Sequence, residues 1–499
     1  MFIRFACVGL LVAAVIFGGR FLREFATEIR DVRQHAQVRS VVLQASPTIR
    51  EAERTVPVIE NDGHALHSVQ QTIVVERPVQ SDEVNETTNI EPVPESSSTV
   101  SVRHPGHVDT TDILPGNFEY LGAIRPPHVD GLSSSFSYGG SVIAHNPQGD
   151  PDGDDDGFPG SLFLSGHIYQ QEVAELSIPR PILSPDSSLD VLGVCTLLQP
   201  FGDVSDGIMK QMTEDESQPF QLGGLQVVGD ALHWTMYRYY NVEGYDFLSH
   251  GLSSVNLRNP YPLGPWHLGP WNSGSSQWHA YKHAGHIAEV PESTAVALGG
   301  RRWVSGLQIS TGLQTSSQGP ALFAYQLPQN AAPQGSSLDA VPLLWYSMEQ
   351  PLDQHHPADS WTGVAWLQAG DRQTVVFTGR KATGPVYYGE GRPKDCNDNK
   401  GYHGPPYEAQ ALFYDADDLL AVARGERYPW DVVPIYRWTN QSAGGGLTCY
   451  TFPTCQQDMG GLAYDRANNL LYLVQMQAGV TQDSPYKLLP VIHVFRVAG

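Results

Sequence analysis

Basic residues are scarce in this chain. Thirty Lys and Arg stand against 53 Asp and Glu, for a formal net charge of -23 over 499 residues. A surface of that sign repels phosphate, which excludes a nucleic-acid binder. It favours solubility and attraction of cations. Cysteine is scarce too, at five. Cys7 falls in an N-terminal apolar run, leaving Cys195, Cys396, Cys449 and Cys455. Cys449 and Cys455 bracket a short Tyr-Thr-Phe-Pro-Thr loop that a disulfide would close in an exported chain. Spacing alone does not fix the connectivity among the four. The chain also lacks a Walker loop, a dinucleotide fingerprint, a CxxC pair and a Ser-His-Asp elbow. Cofactor-dependent redox chemistry therefore has no support in the sequence.

Three parts follow from composition. Residues 1–39 read as a signal or anchor with a juxtamembrane helix. Arg4 precedes an uncharged run from Phe5 to Phe17, and Phe25, Ile29, Val32 and Ala36 then share one helical face. No Ala-x-Ala site follows, which points to an uncleaved anchor with the bulk of the chain in the extracytoplasmic envelope. Arg20, Arg23, Arg30 and Arg33 argue for the opposite orientation. Residues 40–113 form a linker rich in Pro, Glu, Ser and Thr that cannot bury enough apolar surface to order itself. Residues 114–499 hold the folded domain.

That domain repeats. Five times, glycines open a short apolar strand, at Gly139-Gly140, Gly223-Gly224, Gly285, Gly363 and Gly460-Gly461. The openings recur 62 to 97 residues apart, so long loops are inserted in each unit. A turn and further apolar strands follow each opening. The pattern predicts an all-β fold, a five-bladed β-propeller; a β-sandwich is the rival. The strand at 118–124 has no partner nearby in sequence, and is expected beside 491–497, where it would close the ring. Other strands are expected at 191–197 in blade one, 295–298 in blade three and 433–438 in blade four. The Gly- and Pro-rich stretch with Trp266, Trp271 and Trp278 reads as a loop lidding one face.

Candidate sites lie on the loops. Asp152, Asp154 and Asp156, followed by Gly157, match the first half of a calcium loop, which would place a structural Ca2+ in blade one. Position twelve is Phe163 rather than a bidentate Glu. Tyr138, Gln221, His283, His286, Trp361 and Asp458 precede or open the inner strands, and are expected to ring one mouth of the central channel as ligand-binding residues. His279, His283 and His286 would suit zinc only on a helix, which the nearby glycines oppose. His403 and Glu408 are a possible acid/base pair, though their spacing does not bring them together.

Ser135-Phe-Ser-Tyr-Gly-Gly140, Phe158-Pro-Gly-Ser-Leu-Phe163, Gly166-His167, Gly389-Glu-Gly391 and Lys400-Gly-Tyr-His-Gly-Pro-Pro-Tyr-Glu408 carry a resemblance. Together they resemble exported bacterial propeller-like proteins without an assigned activity. The resemblance implies an exported propeller and no reaction. The five-bladed ring is also similar in architecture to furanosidases, which place carboxylates on the first three inner strands. Tyr138, Gln221 and His286 stand there instead. The functional expectation is a membrane-anchored module that binds a saccharide or an envelope protein. A glycan-cleaving hydrolase and an envelope scaffold are the alternatives.

Overall fold

The computed structural model describes residues 112–499, apart from 151–152, 154–156, 185, 215–217, 240–243, 272–275, 310–314, 329–331 and 393–399. The expected anchor, nearly all of the linker, Cys396 and the Asp152, Asp154 and Asp156 trio lie outside the described residues. No helix among the described residues is long and apolar enough to cross a membrane.

Five antiparallel sheets follow one another along the chain. Blade one is Ile143–Asn146, Ser161–Ser165, Val173–Ser177 and Leu197–Gly202. Blade two is Phe220–Val228, Ala231–Arg238, His250–Ser254 and Leu263–Leu268. Blade three is Ile287–Glu289, Trp303–Ser305, Leu322–Tyr325 and Ala340–Leu344. Blade four is Gly363–Ala369, Arg372–Ala382, Tyr407–Asp415 and Tyr436–Trp438. Blade five is Met459–Asp465, Leu470–Thr481 and Ser484–Val497, joined by Phe118–Arg125 from the start of the domain. That strand runs antiparallel to the last one, with Phe118 opposite Val497 and Ile124 opposite Ile492. Each first strand packs against the first strands of the blades before and after it, and the fifth returns to the first. This cyclic order makes the fold a five-bladed β-propeller.

Glycine opens the blades because the inner strands touch. A Cβ on Gly460 would run into the Gly140 carbonyl, and one on Gly224 into the carbonyl of Gly285. Close packing leaves no room for even a methyl group at those points.

The apolar runs are continuous because each sheet is buried on both faces. In blade five, Tyr472 and Val474 join the core shared with Leu162 and Leu164 of blade one. Their neighbours Leu471 and Leu473 join the core shared with Val376 and Phe413 of blade four. Phe163 of blade one faces the other way, onto Leu225 and Trp234 of blade two. Alternate residues thus feed different inter-blade cores, as the period-two geometry of a strand requires.

Four local expectations need correction. Residues 295–298 are not a strand: Glu292–Ala297 is a single helical turn and a half, opened by Pro291. It buries Thr294 and Ala295 and turns Val296 outward, a one-sided pattern too short to stand out in sequence. The fourth strand of blade one lies later than expected, at Leu197–Gly202. Within the supposed tryptophan loop, Leu263–Leu268 is the fourth strand of blade two, and Trp266 is fully buried. Cys449 and Cys455 do not close their loop, because Cys449 and Cys195 are free thiols while Cys455 is disulfide-bonded.

Candidate functional site

The leading ends of the inner strands define one face of the ring. Tyr138 stands at the start of blade one, in a turn where Gly139 N–H donates to Phe136 O at 3.0 Å and Tyr138 N–H to Leu488 O at 3.3 Å. The turn holds Tyr138 at φ 55, in the left-handed region that a bulky side chain rarely adopts. The result is a ring thrown outward and 44% exposed. It meets the His167 ring at 5.7 Å, and His167 meets Tyr169 at 5.1 Å. Tyr169 is 86% exposed. Polar groups flank this ladder: Ser133 Oγ donates to Glu172 Oε2 at 2.5 Å, and Ser134 Oγ accepts from His167 N–H at 3.1 Å.

Asp458 stands at the start of blade five, where the Arg380 guanidinium from the second strand of blade four meets it at 2.7 Å. The two side chains are only 15% and 16% exposed, Asp458 first. Burial pushes the Asp458 carboxyl upward while Arg380 opposes the shift. Arg380 also lies over the Tyr407 ring, 4.7 Å from its centre. Asp359 is clamped by three donors: Lys381 Nζ at 2.9 Å, Ala382 N–H at 2.9 Å and His356 N–H at 3.0 Å. Glu408 accepts from Asn440 N–H at 3.0 Å. These carboxylates are engaged in holding blade four and its neighbours.

The other predicted mouth residues divide. Gln221 is half-buried on the first strand of blade two. His286 is buried, with Nδ1 2.8 Å from the carbonyl of Trp361, and Trp361 is buried with it. These two meet, so they tie blade three to blade four. Burial takes the His286 pKa down to about 4. His283 faces no mouth at all. It sits fully buried among His250, His267 and Phe323, with ring centres 5.6, 5.4 and 5.7 Å away.

His283 belongs to a buried histidine series between blades two and three. His233 Nε2 bonds to the Tyr325 hydroxyl at 2.6 Å, and His250 Nε2 to Ser305 Oγ at 2.9 Å. His267 Nε2 meets Asp246 Oδ2 at 2.9 Å. Burial opposes ionisation of Asp246, but the His267 bond and the Ala280 N–H bring its carboxyl to about 2. Burial lowers His233 to about 4 and His283 to about 3, and holds His250 well below its ordinary value with help from His283, His233 and His267. The segment carrying His279, His283 and His286 contains short 3-10 turns at Ser276–Trp278 and Ala280–Lys282 rather than an α-helix. Each of the three histidines takes a different carbonyl: Gly244, Trp278 and Trp361. Among the described residues no group of three His, Cys, Asp or Glu side chains is arranged to hold a metal ion.

No family model and no curated protein matches the chain. Three solved structures show what it is similar to. The β-propeller domain of Cps50 (Swd1) from Myceliophteria thermophila is 11% identical at a TM-score of 0.25, over 68% of this chain and 69% of that one. A luciferin-regenerating enzyme is 10% identical at 0.28, over 69% and 75%. A thermostable family-43 glycoside hydrolase is 9% identical at 0.32, over 75% and 96%. Similarity at these scores decides nothing about activity; the propeller rests on the strand order and pairing above.

Sequence reasoning missed His167, Tyr169, Arg380 and Tyr407 as companions of the mouth residues. Gly166-His167 stands out as a motif, and Arg380 lies near the end of the long second strand of blade four, Arg372–Ala382. Nothing local marks the remaining two.

Proposed function

We propose that the protein is a non-catalytic binding propeller whose ligand is an extracellular saccharide, met on the face where the inner strands begin. One observation carries this reading: the exposed Tyr138–His167–Tyr169 ladder beside the turn that holds Tyr138 in a left-handed conformation. Aromatic faces in water are suited to stacking on sugar rings, with neighbouring polar groups taking the hydroxyls. Ser133, Glu172 and Gln221 supply such groups. Asp458, paired with Arg380, shapes the floor of the same face. His283, His286 and Trp361 serve this site by holding the blades that form it.

A hydrolase would need two carboxyl groups free to face one cleft at ~5–9.5 Å. Asp458 and Asp359 are each committed to a cation, and Glu408 to a backbone N–H, which favours binding over cleavage. In the same proposal, residues 1–39 anchor the protein, residues 40–113 space the propeller from the bilayer, and Phe118–Arg125 acts as the clasp of the ring. A calcium ion on Asp152, Asp154 and Asp156 would be structural; a melting temperature unmoved by chelator removes it.

A glycan array with the full chain tests the reading. Hits that weaken at least tenfold in Tyr169→Ala support it. An array without hits, together with capture of an envelope protein that Tyr169→Ala abolishes, turns the same face into a protein-docking surface.

A further inference from the structure

Two hydrogen bonds that cross from blade two to blade three belong to one row of buried groups. His233 Nδ1 lies 2.7 Å from the Gly251 carbonyl, which only accepts, so that nitrogen carries the proton. His233 Nε2 is then the acceptor, and the Tyr325 hydroxyl of blade three donates to it at 2.6 Å. With its hydrogen engaged there, that hydroxyl accepts from Ser305, its other hydrogen-bond partner. Ser305 Oγ in turn accepts from His250 Nε2–H at 2.9 Å. His250 Nδ1, left without a proton, accepts from Ser249 Oγ–H at 2.8 Å. One carbonyl thus sets the direction of every bond in the row. His233, Tyr325, Ser305, His250 and Ser249 have no exposed surface.

A second proton has no place in this row. On His233 Nε2 it meets the Tyr325 O–H, which must turn away and leave its hydrogen unmatched. On His250 Nδ1 it does the same to Ser249. A buried hydroxyl without an acceptor is costly, and a buried cation without a counter-charge more so. The groups that face the two imidazoles supply no counter-charge. His283, from the turn before blade three, His267, on the fourth strand of blade two, and His233 itself all oppose a charge on His250. The His233 and His283 rings lie 5.7 and 5.6 Å from the His250 ring. Tyr325 stands 5.7 Å from His233 and 5.0 Å from His250 between ring centres, and burial keeps its phenol protonated. The Asp246 carboxylate is taken by His267 and the Ala280 N–H, and it also favours the charges of His279 and Lys282.

We propose that the His233–Tyr325–Ser305–His250 row is an acid-sensitive latch between blades two and three: a second proton on either imidazole opens this interface ahead of the rest of the ring. The latch is separate from the aromatic ladder and stands whether or not the saccharide reading does. Burial puts His233 at about 4 and His250 well below the ordinary value of 6.5. Closure is therefore fully stabilised above about pH 6.5 and weakens as pH falls towards the folded values, since the opened interface binds protons first. Other buried histidines lack this arrangement. The partners of His493, Tyr120 and Gln475, belong to its own blade five. His286 reaches the Trp361 carbonyl through an Nδ1–H that a second proton leaves intact.

Hydrogen exchange of the full chain, read peptide by peptide at about pH 6 and about pH 5 and corrected for the intrinsic rate, tests the latch. Over that unit the opening constant of the blade-two and blade-three strands is expected to rise by about tenfold for each imidazole freed, and by several-fold less in blade five. In the double variant His233→Gln, His250→Gln, whose amides keep a donor and an acceptor without titrating, the excess disappears. An equal rise in all five blades, or an excess that survives in the double variant, overturns the latch. Should that variant fail to fold, the wild-type exchange profile decides together with nitrogen-15 shifts of the histidines at neutral pH. A protonated Nδ1 on His233 and a protonated Nε2 on His250 uphold the row, and the opposite tautomer on either overturns it.

Discussion

Two regions of the propeller use the same residue types for opposite ends. At the rim of blade one, Tyr138, His167 and Tyr169 stand in or near solvent, with His167 edge-on to Tyr138 and tilted against Tyr169. Between blades two and three, His233, His250, His267 and His283 are buried with Tyr325, and nearly every ring nitrogen has a partner. Burial explains the difference. Inside, burial holds His233, His250 and His283 towards the neutral form, and each is matched by a hydrogen bond. At the rim, burial still lowers the pKa of His167, but the ring is only half covered and its neighbour Tyr169 stands in solvent, open to a ligand. Histidines and aromatics thus become structural or functional according to what the next blade lays over them.

The comparison can be pressed hardest by removing an interior aromatic. Trp266→Ala, in the core between blades two and three, is expected to cost about 3–5 kcal/mol of unfolding free energy by chemical denaturation. The equivalent change at the rim, Tyr169→Ala, should leave stability within about 0.5 kcal/mol. If both cost the same, the two regions are not different in kind.

Next in size is the pair between blades four and five. Arg380→Ala leaves the mostly buried Asp458 carboxylate without its partner, and is expected to cost about 3 kcal/mol near neutral pH. The loss should shrink on acidification, because the unpaired carboxyl then takes up a proton. A variant as stable as the parent at neutral pH would show that the pair is solvent-screened.

Acid sharpens the contrast further. His233, His283 and His286 have folded pKa values of about 4, 3 and 4, below the ordinary value of 6.5. A depressed histidine contributes stability that is fully present above its unfolded pKa. That contribution is lost as pH falls from about 6.5 towards the folded values, since the unfolded chain binds the protons first. Lowering the pH from about 7 to about 5 should therefore lower the unfolding free energy by on the order of 2 kcal/mol for each of the three. Denaturant midpoints measured at the two pH values check this. A small effect is expected on the outside as well: Arg496→Ala, which breaks an exposed pair with Glu119, should cost less than about 1 kcal/mol.

Much of the ring could be read ahead of the structure. The opening glycines marked all five inner strands, and Gly460 and Gly224 show why: their neighbours are backbone carbonyls of the adjacent blade. The run 470–474 is apolar without interruption because both of its faces are buried, one against blade one and one against blade four. Trp266 was placed wrongly, since Gly264 and Pro265 signal a loop locally and its burial comes from blade three. The site was less legible. Tyr138 and Asp458 lead into the inner strands of blades one and five, whereas His283, which also precedes an inner strand, is fully buried. It lies inside because the turn at Ala280–Lys282 carries it beneath the blade-two strands.

By itself, the amino-acid sequence determined that the chain would form short strands in five glycine-opened units, because side-chain size and period-two burial are local properties. Only the tertiary structure decided which histidine, which lysine and which tyrosine meets water. That decision belongs to residues packed across a blade interface, dozens of positions away in the chain, and no window along the sequence contains both sides of it.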